Sequence, residues 1–221
     1  MKKLKSHNNR SKPGNQKLTR HQHATAHHEA GHAFAIWHFG HSVKKATIVL
    51  TGDSAGHVVC NAGLQIFQSL EDCRPSGAKI GRLHERVVAL LAGHEAQRHY
   101  SPGSVRSSQA CSDNQAALAI LAELHTPEEI PHVWRYLQAK ARNLVEKPMH
   151  WVVIQHLAET LLKSHTLTAE QVAAAIRGGF DRHIQQRQAR HTSGSVTGTA
   201  ATLVQLTAQR PDITNQTNKT T

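Results

Sequence analysis

The segment His28-Glu29-Ala30-Gly31-His32 constrains this chain more than any other stretch. On an α-helix, residues four apart lie on one face, one turn from each other. The spacing therefore predicts a helix that presents two nitrogen ligands to one cation. Glu29 leans toward the same side, close enough to act as a base beside that cation.

The motif is short, and histidine supplies 19 of the 221 residues. Shuffled chains of this composition would carry it roughly once in fifteen. Its surroundings decide. Ala24, Ala26, Ala30, Ala33, Phe34, Ala35, Ile36 and Trp37 make the context helical and apolar. Thr19 or Thr25 suits the helix start and Gly40 its end. A buried helix over about Thr19 to Phe39 is expected.

Charge separates tails from fold. The net charge is +11. Lys2, Lys3, Lys5, Arg10, Lys12, Lys17 and Arg20 carry +7 of it with no acid among them. From Arg182 onward the balance is +4, so residues 21–181 sum to zero. A neutral fold argues against a nucleic-acid-binding domain. The basic tails are suited to weak, non-specific contact with nucleic acid or acidic surfaces, or simply to solubility. Cys60, Cys73 and Cys111 are odd in number and form no C-x-x-C, which fits a reducing compartment. No apolar run reaches the ~18 residues of a membrane span. No apolar segment follows the basic N-terminus as in a secretory signal. The expectation is a cytoplasmic protein without a membrane span.

Three regions follow: a disordered basic arm at 1–18, a domain at 19–188, and a disordered polar tail at 189–221. Inside the domain, the runs Val43–Leu50 and His57–Cys60 flank a Gly-rich turn and read as a β-hairpin. Such a hairpin is either purely structural or an edge for an extended peptide. Residues 61–77 read as loop. Helices are expected over about Ala78–His99, from Ser112 or Asp113 as N-cap, over about Glu128–Glu146, after Pro148, and from the capping pair Thr168 and Gln171 to about Gln188. Gly178-Gly179 weakens the last one. His94-Glu95 resembles the first motif but lacks a second histidine, and both read as ordinary helix residues. The fold class is mainly α with one small β-hairpin beside the metal-binding helix.

A catalytic zinc takes three protein ligands and keeps one position open. His28 and His32 supply two. His38 stands where an H-E-x-x-H-x-x-G-x-x-H pattern has its third histidine, but Ala35 replaces the glycine and the helix should run straight through. A carboxylate from later in the chain is the alternative. Asp113 is the best placed, at a helix start after a polar loop, where it equally suits a plain N-cap. Glu95, Asp72 and Glu85 compete with it.

The order of these elements resembles the peptidase domain of FtsH-type ATP-dependent zinc metalloproteases. The likeness lies in Thr25-Ala-His-His-Glu-Ala-Gly-His32, in Ala46-Thr-Ile-Val to Ala55-Gly56, in Val87 to Gln97 with Leu91-Ala92-Gly93, in Ser112-Asp113-Asn114 to Ala117, and in the run Leu137 to Ile176. It covers about residues 20–178. The resemblance implies Zn²⁺ held by His28, His32 and Asp113, with Glu29 as catalytic base. It implies hydrolysis of peptide bonds in unfolded or flexible polypeptides. The chain departs from the family in showing no Walker A loop, AAA module or membrane anchor, so ATP-driven unfolding would fall to a separate unfoldase. Gln97 stands where the family has an acid, and His27 where it has an aromatic. Two other readings compete: a regulatory zinc peptidase of the ImmA/IrrE kind, and a catalytically silent adaptor whose basic tails bind nucleic acid or acidic partners. No oligomeric state is assigned.

Overall fold

A computed structural model describes residues 19–49, 57–60, 76–104 and 110–207. The expected basic arm at 1–18, the hairpin turn, the loop at 61–75, most of the polar loop before Asp113 and residues 208–221 lie outside them. The fold is mainly helical, with a small three-stranded antiparallel sheet. The elements run α1 (Arg20–His38), β1 (Val43–Thr47), β2 (His57–Cys60), α2 (Gly77–Tyr100), α3 (Ala110–Leu124), α4 (Ile130–Glu146), α5 (Pro148–Ser164), β3 (Thr166–Thr168) and α6 (Ala169–Thr207). No helix among the described residues is long and apolar enough to cross a membrane.

The metal-motif helix has defined ends. Thr19 caps α1 in a reciprocal box with Gln22, its side chain accepting from the Gln22 N–H while Gln22 Oε1 accepts from the Thr19 N–H at 2.8 Å. At the other end Gly40 is left-handed, with φ of 77°. The Gly40 and His41 N–H groups return to the carbonyls of Trp37 and Ile36, each at 3.0 Å, which closes a Schellman turn.

Helix α1 packs against α2 and α5, and α2 also meets α3 and α4. Small residues bring α1 and α2 close together. A Cβ on Gly31 would stand 2.6 Å from the Ala92 carbonyl oxygen and 2.6 Å from Ala96 Cβ. A Cβ on Gly93 would fall inside the His32 ring. Each helix thus owes its position to a glycine facing the other. Glu95 ties α2 to α4: it is 3% exposed, accepts from Gln138 and pairs with Arg142 of α4, and also pairs with Arg98.

The hairpin forms, with Ala46 opposite Val58 and Thr47 opposite His57. It also gains a third strand. β3 pairs antiparallel with the other edge of β1, placing Ala46 opposite Leu167. His165, at φ of 61°, turns the chain out of α5, and its carbonyl accepts from the Ile48 N–H at 2.9 Å. Thr168 and Gln171 form the expected cap at the start of α6. This helix continues to Thr207, past Gln188, where composition places the start of a tail. No proline interrupts the chain between Pro148 and Pro211. Gly178-Gly179 does not break it; a Cβ on Gly179 would stand 2.7 Å from Val153 Cα, so α5 uses the gap.

Candidate metal centre

Three side chains from two helices converge on one point. His28 and His32 of α1 bring their Nε2 atoms to 3.0 Å from each other. The Oδ2 atom of Asp113, in the first turn of α3, stands 3.2 Å from each nitrogen. The two imidazole planes meet at 84°. Around a tetrahedral zinc with bonds near 2.0–2.2 Å, donor atoms stand roughly 3.3 Å apart. The triangle therefore has nearly the spacing that one ion requires.

The hydrogen bonds behind the triangle favour a cation at its centre. His32 Nδ1 donates to the Ala89 carbonyl at 2.8 Å, which leaves the Nε2 lone pair of the neutral ring facing inward. Gln97 lies close enough to act on His28, where it opposes the burial that lowers the ring's pKa, and His28 Nδ1 is buried. Gln97 is itself 2% exposed and donates from Nε2 to the Ser104 carbonyl at 3.0 Å. The position where the resemblance places an acid thus stands behind His28 as a neutral amide.

Charge and burial act on the same residues. Burial raises the Asp113 carboxyl, but hydrogen bonds to His28 and His32 outweigh it and hold the group well below the usual carboxylate range. Burial and the nearby His32 lower His28. Burial also lowers His32, but Asp113, Glu29 and the Ala89 carbonyl outweigh it and lift it to about 9. An ionised carboxylate thus sits beside two imidazoles, of which metal-free His32 carries a proton at neutral pH that a bound cation would have to displace. Glu29 is 4% exposed, and burial, reinforced by Asp113 and opposed by His32, lifts its pKa to about 7. A carboxylate there can take and return a proton near neutral pH.

The other candidates fall away from the centre. His38 packs in the last turn of α1 against Phe34, Phe39 and His150. Glu95 is committed to its arginines. Glu85 acts on His38, and so belongs to that end of α1. Asp72 lies outside the described residues. Asp113 is not an N-cap, because α3 begins at Ala110 and the aspartate stands inside its first turn.

One residue was missed. His94, expected to be ordinary, lies beside the centre: its ring meets His28 edge-on at 4.9 Å and 74°, and it groups with His28 and Asp113 as a metal-capable set. The signal was present in the sequence. His94 falls three residues after Leu91 and seven after Val87, at the end of the buried apolar stripe of Leu83, Val87 and Leu91. A polar residue at such a position needs a reason to be there.

A helix-borne His-Glu-x-x-His pair and a carboxylate from a second helix thus bring together donor atoms that could hold one metal ion, with the Glu29 carboxyl beside them. No family model matches the chain, and no curated protein matches it. The residues themselves carry the functional reading.

Proposed function

We propose that the protein is a zinc-dependent peptidase acting on unfolded or flexible polypeptides. The observation that carries this reading is the triangle of His28 Nε2, His32 Nε2 and Asp113 Oδ2, at 3.0–3.2 Å, with Glu29 buried beside it. The order of elements in the chain, which resembles the FtsH-type peptidase domain, supports it.

His28, His32 and Asp113 would hold the zinc, which when bound supplies a Lewis acid for the scissile carbonyl and lowers the pKa of water. Glu29 takes a proton from the attacking water and returns it to the leaving amine. Its pKa near 7 suits both transfers. His32, fixed by Ala89, and His28, backed by Gln97, keep their Nε2 atoms turned inward. Among the described residues β2 pairs only with β1, and its outer edge suits an extended substrate segment. Whether a separate unfoldase feeds the site is tested by comparing folded and unfolded substrates: the protein alone should cut only the latter.

Metal analysis paired with casein digestion tests the reading. Wild type should hold one zinc and cut casein. Glu29→Gln should hold zinc and lose activity by roughly 10²–10⁴-fold. Asp113→Ala should lose both. A wild-type protein that binds no zinc would rule the reading out.

A further inference from the structure

His94 has no part in the chemistry above, yet α2 delivers it to the same place. It is 5% exposed, as buried as His32 at 7% and Glu29 at 4%. A ring nitrogen of His94 stands within 4.8 Å of ligand atoms of both His28 and Asp113. Its chain neighbour Gly93 is the residue on which the His32 ring rests, so the two helices hold His94 in register with the ligands.

A third imidazole at such a centre can be a fourth ligand or a hydrogen-bond donor. Four protein ligands would close a tetrahedral zinc and leave no position for chemistry. His28, His32 and Asp113 already occupy the tight triangle at 3.0–3.2 Å. That leaves the ring of His94 for the oxygen of the substrate.

We propose that His94 is a catalytic residue whose imidazole N–H donates a hydrogen bond to the carbonyl oxygen of the scissile peptide as that oxygen becomes anionic. The inference rests on the peptidase reading above. As the water oxygen bonds to the carbonyl carbon, the C=O π pair moves onto the oxygen facing His94, and Glu29 takes the water's proton. When the pair returns, the C–N bond breaks and the proton passes to the leaving nitrogen. Water and one peptide bond are consumed, a carboxyl and an amine are formed, and His94 neither gains nor loses a proton. The hydrogen bond strengthens only as charge develops, so it acts on kcat.

The test compares wild type, His94→Ala, His94→Phe and His94→Gln on an unstructured fluorogenic peptide. Zinc content and circular dichroism accompany each variant, together with affinity for a phosphonamidate transition-state mimic. The expected result is one zinc per chain throughout and an unchanged KM. The kcat of the alanine and phenylalanine variants should fall about 100-fold, the mimic should weaken by the same factor, and the glutamine variant, which keeps an N–H donor, should partly recover. Loss of zinc in His94→Ala with a folded spectrum would make His94 a ligand and overturn the proposal while leaving the peptidase reading intact. An unchanged kcat in folded Ala and Phe variants would also overturn it. A wild type without zinc or activity would overturn both.

Discussion

At Gly93 there is no room for a single carbon, because the His32 ring occupies the place of its side chain. Gly93→Ala should therefore push His32 off the triangle. Overpacking of this kind costs roughly 1–3 kcal/mol, and zinc affinity should fall with it. Gly81, on the same helix, has open space around its missing Cβ. Gly81→Ala should stabilise by up to about 1 kcal/mol through helix propensity alone. Urea unfolding and zinc titration of the two variants measure the contrast, and equal effects would show that the ring contact is unimportant. The sequence made His28, Glu29 and His32 legible because the helical period alone places them together. Asp113 emerged among several carboxylates, since nothing local distinguishes a ligand from a cap. The role of Gly93 depends on which side chain faces it from α1, which no local pattern encodes.

The helix that brings Asp113 is held at its far end by a second pair of histidines. His84 Nε2 of α2 and His125 Nε2, just past α3, are 2.9 Å apart with their rings 16° from coplanar. One ring must donate to the other. Between the two ends, Ala117, Ile120 and Leu121 form the buried seam of α3, while Leu118 is 44% exposed. Loss of one hydrogen bond is worth about 1 kcal/mol, or roughly a fivefold change in an equilibrium. His125→Ala should accordingly speed zinc release to a chelator several-fold without touching a ligand; an unchanged release rate would mean that α3 is fixed by other contacts. Most helices were legible as apolar stripes between prolines and caps. The start of α3 at Ala110 was not, because Ala-Cys-Ser reads equally as loop or first turn. Nor was β3, whose three residues are too few for a period and become a strand only by meeting β1.

Among the described residues, histidine burial contributes to the response to acid. Burial is the first cause lowering the pKa of His27, His38, His84 and His150 below 6.5, and none of the four is a proposed ligand. Each then binds a proton more readily unfolded than folded. The stability they protect is complete above pH 6.5 and is lost as pH falls through their folded pKa values. In the metal-free protein Glu29 and His32 act in the opposite sense: Glu29 contributes fully below pH 4.5 and loses its contribution as pH rises through about 7, and His32 contributes below pH 6.5 and loses its own as pH rises through about 9. The urea midpoint of His27→Phe should therefore fall less than that of wild type between pH 7.5 and pH 5, and an identical profile would contradict a buried neutral His27. The triangle itself joins residues 81 positions apart, His32 to Asp113. An ion seated there would be a removable cross-link, tying off most of the N-terminal half of the domain as a loop. By chain entropy alone such a link is worth on the order of 4 kcal/mol. The same ion that arms the site would then also act as a buckle, so that a molecule stripped of it would lose its strength together with its edge.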